Sequence, residues 1–339
     1  MVIVMETDAT TDDLDRVVAE ARQRGLRVRI GTTTDRTILQ SIDGTRSEDL
    51  DALRALGGVA TVYQTSVAYE LASRMMCATG TAVPIGDVAV GGRDLVVMAR
   101  AARRSGATPW ADLSGLRKLG VQIVCRPASM MSDPLIIGAR DACAELALWH
   151  AVAAAEGIKV VAEVADVATI EWAAAYADAY EVGACNMQNF VLLRELGRCR
   201  IPVLLNRSIS GTVEEWLLAA EYVLVGGNPH VILCERGIRT FDRSCDTLDL
   251  GAVSVVKHES HLPVVVDPGD AVPHARHMAA MARAAIAAGA DGLLLPIRSE
   301  RSGSGEAPGL DAREFAGVQA ELAGIGRVLG RSLAAAVTT

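Results

Sequence analysis

The sequence predicts an α/β fold, a (β/α)8 TIM barrel preceded by an N-terminal ferredoxin-like domain. Three observations carry that prediction. Residues 202–241 read PVLLNRSISGTVEEWLLAAEYVLVGGNPHVILCERGIRTF, in which an apolar run ends in the polar pair Asn206-Arg207, a long helical pattern follows, and a second apolar run ends in Glu235-Arg236. Strand, polar tip, helix, strand, polar tip is the order of a barrel whose chemistry sits on the loops after its strands. Runs of the same kind recur from residue 95 onward at barrel spacing, and residues 1–73 spell β-α-β-β-α-β.

Taken in order, 2–5 (VIVM) is a strand and Thr11 to Gly25 a helix capped by Thr10 or Thr11. LRVRIG and RTILQSIDG follow as strands, EDLDALRALGG as a helix and VATVYQTS as the last strand of the first domain, 1–73. Residues 74–92 are read as a linker followed by a hairpin, IGDVAVGG at 85–92, that closes the barrel floor. The barrel spans 93–332, with strands near 95–98, 122–125, 159–163, 179–182, 202–205, 231–234, 263–266 and 292–295. EFAGVQAELAGIGRVLG is the closing helix, and the tail SLAAAVTT is read as frayed.

Half of the 339 residues are apolar, enough for a sizeable core, and aromatics are only 4%, so Ala, Val and Leu must do the packing. The net charge of −8 and the scattered Lys and Arg argue against nucleic acid. The N-terminus turns acidic within a few residues, and the most apolar later stretch carries Arg283 and Asp291, so neither a signal peptide nor a membrane span is expected. Cysteines at 77, 125, 143, 185, 199, 234 and 245 stand singly, without CxxC spacing. That usage fits a reduced, cytoplasmic compartment rather than a disulfide framework or zinc site. Arg207 and Arg236, on successive strand tips, suggest an anion held at the barrel mouth.

GACNMQNF (183–190), TVEEWLLAAEY (212–222), GNPHVILCERGIRTF (227–241) and DTLDL (246–250) resemble the type I DAHP synthases of the β subgroup. Those enzymes join phosphoenolpyruvate to erythrose 4-phosphate at the start of the shikimate pathway. The resemblance runs from about residue 1 to 330. It implies a regulatory N-terminal domain that binds aromatic amino acids between subunits, a dimer or tetramer, and a divalent metal; a domain kept only for assembly is the alternative reading.

At the positions where that family does its chemistry the sequence departs from it. The metal-binding cysteine after strand 1 aligns with Ala102, the histidine ligand with Asp270, the glutamate ligand with Pro296, and the aspartate ligand with Gly305 or Glu306. The reading is therefore that the metal is lost and no cofactor is used; Asp270, Glu306 and the nearby His274 make at best a weak hard-ion site. Nearby Arg100, Arg103 and Arg104 are read as a solvated helix face, with a new anion clamp as the alternative.

The phosphate-gripping residues are thinned as well. In VCRPASMMSDPLIIG (124–138), strands registered without a gap put Cys125 in place of the family arginine and Met130 near its lysine, whereas matching the prolines puts Arg126 in place of the lysine; either way the cationic loop has become mostly apolar. Cys125 is read as a buried structural thiol, since no histidine lies near it. A family arginine has become Cys185, and the lysine that contacts phosphoenolpyruvate has become Asn206, which can hydrogen-bond but supplies no charge. Asn186 and Gln188 are kept, as are Arg207 and Arg236. Together with Arg126, Cys185 and Asn206 these form the expected substrate-binding set, and Glu163, Asp267 and Asp270 the expected catalytic acids and bases.

The function expected from these losses is a repurposed, metal-independent aldolase- or transferase-like enzyme acting on a small carboxylate-bearing molecule. A shikimate- or chorismate-related acid of specialised metabolism is the natural candidate. The alternatives are an inactive partner that tunes a genuine DAHP synthase paralogue, and a residual DAHP synthase. In each case a homo-oligomer is expected.

Overall fold

The computed structural model describes residues 2–32, 37–41, 47–63, 69–101, 113–125, 139–241, 246–269, 271–272, 274–297 and 309–334. The first domain is built as β1 (Val2–Met5), α1 (Thr11–Gln23), β2 (Val28–Thr32), β3 (Thr37–Ser41), α2 (Ser47–Arg54) and β4 (Val59–Tyr63). Its antiparallel sheet has the order β2-β3-β1-β4, the ferredoxin-like arrangement that the element order predicts. Thr10 caps α1 through a reciprocal box with Asp13, so two N–H groups of the first turn are satisfied by side chains.

Strand alternation gives this sheet two apolar faces. Ile3, Met5, Leu39 and Val62 pack on Val17, Val18 and Ala21 of α1 and Leu53 of α2. Val2, Val4 and Ile38 face the other way and, through Tyr69, Leu71 and Ala72, join the main core of the barrel. The segment after the domain is docked. Glu221 accepts the N–H groups of Leu71 and Ala72 at 2.8 and 2.9 Å, and Arg74 donates to the carbonyls of Lys257 and Ser260 at 2.7 and 2.6 Å. His261 Nε2 lies 2.7 Å from the Leu71 carbonyl, which fixes it as the donor; its Nδ1 then accepts from Thr81 Oγ1 at 2.6 Å.

A hairpin of β5 (Val83–Ile85) and β6 (Val88–Val90) follows, two residues earlier than the sequence reading, turning at Gly86 with φ +61°. Its Val83, Ile85, Val88 and Val90 plug the floor of the barrel. The barrel strands are β7 (Asp94–Ala101), β8 (Ile123–Cys125), β9 (Lys159–Glu163), β10 (Ala179–Val182), β11 (Val203–Asn206), β12 (Val231–Glu235), β13 (Val264–Val266) and β14 (Gly292–Ile297). They pair in parallel in sequence order, and β14 closes on β7 from Gly292 opposite Val96 to Ile297 opposite Ala101.

Around them lie α3 (Leu113–Lys118), α4 (Ala139–Ala155), α5 (Val167–Ala173), α6 (Phe190–Arg198), α7 (Val213–Val225), α8 (Leu250–Glu259), α9 (Ala275–Ala287) and α10 (Ala312–Val328). Helices α6 and α7 touch backbone to backbone: a Cβ on Gly226 would stand 2.5 Å from Gly197 Cα, so only glycine fits there. Part of the tail read as frayed is ordered, because Ser332–Leu333 forms β15 beside Asp94 and Leu95. No helix among the described residues is long and apolar enough to cross a membrane.

Candidate active site at the barrel mouth

Strand parity decides which side chains reach the barrel interior. Val96 and Met98 of β7, Ile123 and Cys125 of β8, Val161 of β9, Ala179 of β10, Leu204 of β11, Ile232 and Cys234 of β12, Val265 of β13 and Leu294 of β14 form the inner core over the hairpin. Two residues further along, the same face carries Arg100, Glu163, Glu181, Asn206, Arg236, Asp267 and Pro296. The mouth is therefore a polar crown on an apolar shaft.

The centre of that crown is Arg100. Its guanidinium donates to both oxygens of Glu181, at 2.7 and 3.1 Å, and to Asp267 Oδ2 at 3.0 and 3.1 Å. The side chains are 14%, 1% and 2% exposed for Arg100, Glu181 and Asp267, so three charges share a space that water scarcely enters. A guanidinium has five N–H groups. Four go to the carboxylates, which leaves one N–H on Nη1 without a partner among the described residues. Glu181 also accepts from Asn206 Nδ2 at 2.8 Å. That bond fixes the amide orientation, and Asn206 Oδ1 is left as a buried acceptor without a partner among the described residues. A ligand hydroxyl is what such an atom would receive.

Burial by itself would raise the Glu181 pKa, but the Arg100 ion pair, helped by Arg236 and Asn206, holds it below the ordinary carboxylate value. Burial likewise opposes charge on Arg100, and Glu181 and Asp267 overcome it. Cys125 and Cys234 lie below the crown, and burial followed by the nearby carboxylates pushes both thiols well up. Both are fully buried, as expected for Cys125.

The reading of Arg100 as part of a solvated helix face is overturned. β7 continues to Ala101, and the even parity of 96, 98 and 100 points Arg100 inward. Arg103 and Arg104 lie outside the described residues, as do Ala102, Arg126, Asp270, Gly305 and Glu306.

The two arginines read as a joint anion anchor face opposite sides of the barrel wall. Arg236 is close enough to the crown for its charge to act on Glu181 and the Cys234 thiol. Arg207, with Leu205, faces the helix layer. It donates to Glu235 at 2.9 Å, Asp249 at 3.0 Å and the Gly211 carbonyl at 2.8 Å, and lies over the Trp216 ring. Glu235 also accepts from the N–H of Gly237 at 2.8 Å; burial raises its pKa, against Arg207. Parity was the signal that separates these residues: 204 and 206 look in, 205 and 207 look out.

Glu163 ends β9 alongside Gly183, where any Cβ would collide with its carboxylate. The other expected binders sit on the rim after β10. Cys185 is exposed in a 3₁₀ turn, Ala184–Asn186; Asn186 accepts from Asn189 at 3.2 Å, and Gln188 reaches Glu215 at 3.4 Å. Sequence reasoning passed over Glu181, because a glutamate two residues before a glycine turn looks like an ordinary strand end until Arg100 is placed beside it.

Across the whole chain, comparison with known proteins is decisive. The chain is 33% identical over 305 residues to a phospho-2-dehydro-3-deoxyheptonate aldolase of Thermotoga maritima, covering 88% of this chain and 89% of that protein. It belongs to the DAHP synthetase I family. The model of that family matches residues 137–302, and the DAHP synthase ferredoxin-like domain matches residues 1–66. The crystal structure of a Thermotoga maritima DAHP synthase superposes with a TM-score of 0.73 at 31% identity, covering 98% of this chain and 99% of that one. A truncated Thermotoga maritima 3-deoxy-D-arabino-heptulosonate 7-phosphate synthase matches 78% of this chain and 99% of its own, with TM-score 0.69 and 33% identity.

Against the metal that the family implies, the described crown is a poor host. Arg100 occupies the end of β7, Pro296 stands opposite it on β14, and Asp267 is engaged by Arg100. Among the described residues no group of three His, Cys, Asp or Glu side chains could hold a metal ion.

Proposed function

We propose that this member of the DAHP synthetase I family is a DAHP synthase-type transferase that joins phosphoenolpyruvate to a phosphorylated aldose at the barrel mouth, in the first step of aromatic biosynthesis. The observation that carries this reading is the relationship over both domains, 33% identity across 88% of the chain. In such a condensation the methylene carbon of the enol attacks the aldehyde carbon, water adds to the neighbouring carbon, and inorganic phosphate departs. The aldehyde oxygen gathers negative charge as the new bond forms, and the substrate carboxylate must be held throughout.

Arg236 is assigned the positive charge that holds the carboxylate, while Arg100, its charge already met by Glu181 and Asp267, contributes as a hydrogen-bond donor. The uncommitted N–H of Arg100 is the donor available to an oxyanion, and Asn206 Oδ1 is an acceptor for a sugar hydroxyl. Glu163, at the end of β9, is assigned as the base for the attacking water. No step is assigned to a divalent ion, because the described residues do not furnish its ligands.

A second reading is favoured by the Arg100–Glu181–Asp267 cluster itself. A mouth filled by this ion triad suits a smaller carboxylate-bearing acid better than a pair of phosphorylated substrates, as in a repurposed, metal-independent enzyme of specialised metabolism. One experiment separates the two. Purified protein is incubated with phosphoenolpyruvate and erythrose 4-phosphate, with Mn²⁺ and with chelator, and heptulosonate phosphate and free phosphate are measured. Stoichiometric formation of both supports the first reading, and persistence in chelator supports the role given to Arg100. No product under either condition, together with calorimetric binding of shikimate-type acids, moves the assignment to the second. Binding of neither class leaves assembly with an active paralogue, which co-purification tests.

A further inference from the structure

Helix α6 presents Phe190, Arg194 and Arg198 at intervals of four, one stripe on one face. Against the stripe lies Tyr222 of α7, stacked on Phe190 with ring centroids 4.6 Å apart, and the Arg194 guanidinium stands 5.6 Å from the Tyr222 centroid. Across the gap the ferredoxin-like domain contributes Arg29 from β2. Arg29, Arg194, Arg198 and Tyr222, with Glu221, Val225 and Gly226, line an open cleft of about 470 Å³ between the domain and the barrel. That volume is in the range of small-molecule sites.

Most of the positive charge in this cleft has no ion-pair partner among the described residues. Arg198 is paired with Glu195 at 2.6 Å, but neither Arg29 nor Arg194 has a carboxylate partner among the described residues. The one acid in the lining, Glu221, is engaged elsewhere: both of its oxygens accept backbone N–H groups, of Leu71 and Ala72. Three guanidinium groups from two domains therefore line one space, and among the described residues two of them, Arg29 and Arg194, have no carboxylate partner.

We propose that this cleft is a second binding site, distinct from the barrel mouth, for a small dianion, a phosphate monoester or a dicarboxylate, which bridges Arg29 of the ferredoxin-like domain to Arg194 and Arg198 of the barrel. Planar guanidinium forks match the geometry of both anions, and Tyr222 supplies a ring edge for the organic part. Because α6 and α7 each follow a strand tip of the mouth, and Glu221 on α7 holds the segment that joins the domains, the site lies on the route between domain docking and the mouth.

The test is calorimetric titration of the full-length protein with inorganic phosphate and, separately, with succinate. The proposal expects binding that falls about tenfold or more in the R29A/R194A double variant and is unchanged in R236M, which alters the mouth instead. Both arginines are exposed and make no ion pair among the described residues, so the double variant should fold, and circular dichroism and the thermal midpoint verify this. Tighter binding of phosphate than of succinate identifies the phosphate ester as the ligand class, and the reverse identifies the dicarboxylate. Equal affinity in wild type and R29A/R194A, loss only in R236M, or no binding by the wild type of either anion overturns the proposal.

Discussion

Arg100 and Glu181 form a two-point ion pair, 2.7 and 3.1 Å, across the crown of the barrel, and Asp267 closes the triad from the far side. Arg100 comes from the first barrel strand, Glu181 from the fourth and Asp267 from the seventh, so the contact ties strands that are not neighbours in the sheet. Such a pair is expensive to desolvate and owes its standing to geometry, with four charge-assisted hydrogen bonds offsetting the loss of water. The same geometry makes the crown depend on a single side chain.

The R100M variant is expected to lose about 3–5 kcal/mol of stability, because Glu181 and Asp267 would be left as uncompensated buried charges. Adding E181Q to R100M should recover a substantial part of that loss by removing one of the stranded carboxylates. Urea unfolding of the wild type and both variants at neutral pH measures this. An R100M protein within about 1 kcal/mol of wild type would show that water reaches the crown and that the triad is not the buried cluster described.

Much of this fold was legible in the sequence for a physical reason: each barrel strand is an apolar run ended by a polar pair, and buried parallel strands need such runs. The β9 and β10 ranges were read to the residue, and the βαββαβ order of the first domain fixed its sheet topology. The crown was harder. Arg100 sits in MARAARRSG, where a strand end and a helix start look alike, and only the pairing of β7 with β14 shows that it still belongs to the strand. Glu181 and Asp267 lie 86 residues apart in the chain, and nothing local to either announces the other. Arg207 failed as a mouth residue through parity alone. Its neighbour Asn206 looks inward and is buried against Glu181, while Arg207 is spent on Glu235 and Asp249 in the seam between strand and helix.

Glu221 should make stability depend on pH near neutrality. Burial raises its pKa from 4.5 to about 7, partly opposed by the N–H groups of Leu71 and Ala72 and reinforced by the charge of Glu70. The folded state therefore holds a proton that the unfolded chain has released, in the window between those two values. Stability from this group is greatest at the acid end of the window and falls as pH rises through it, by up to about 3 kcal/mol. The E221Q variant, which cannot ionise, should remove that slope. Urea midpoints for wild type and E221Q at pH 5 and pH 8 test this by difference, since His261, whose pKa is lowered by burial, titrates in both proteins and cancels. Parallel pH dependences in the two proteins would rule the assignment out.

Thiol reactivity should rank the cysteines by their place in the barrel. Cys185 is exposed on the rim turn after β10, whereas Cys125 and Cys234 are buried under the crown with thiols pushed well above their ordinary range by burial and by neighbouring carboxylates. A thiol reacts through its thiolate, so a raised pKa and exclusion of solvent act in the same direction. In the native protein at pH 8, a chromogenic disulfide reagent should label Cys185 rapidly, and Cys125 and Cys234 only after denaturant is added. Peptide mapping of the labelled sites makes the assignment. In R100M, where the positive charge beside Cys125 is gone and the crown is loosened, the two buried thiols should become reactive at the rate of crown opening rather than at the rate of thiolate formation. Rapid native labelling of Cys125 in the wild type would mean that the mouth opens to solvent far more often than its packing implies.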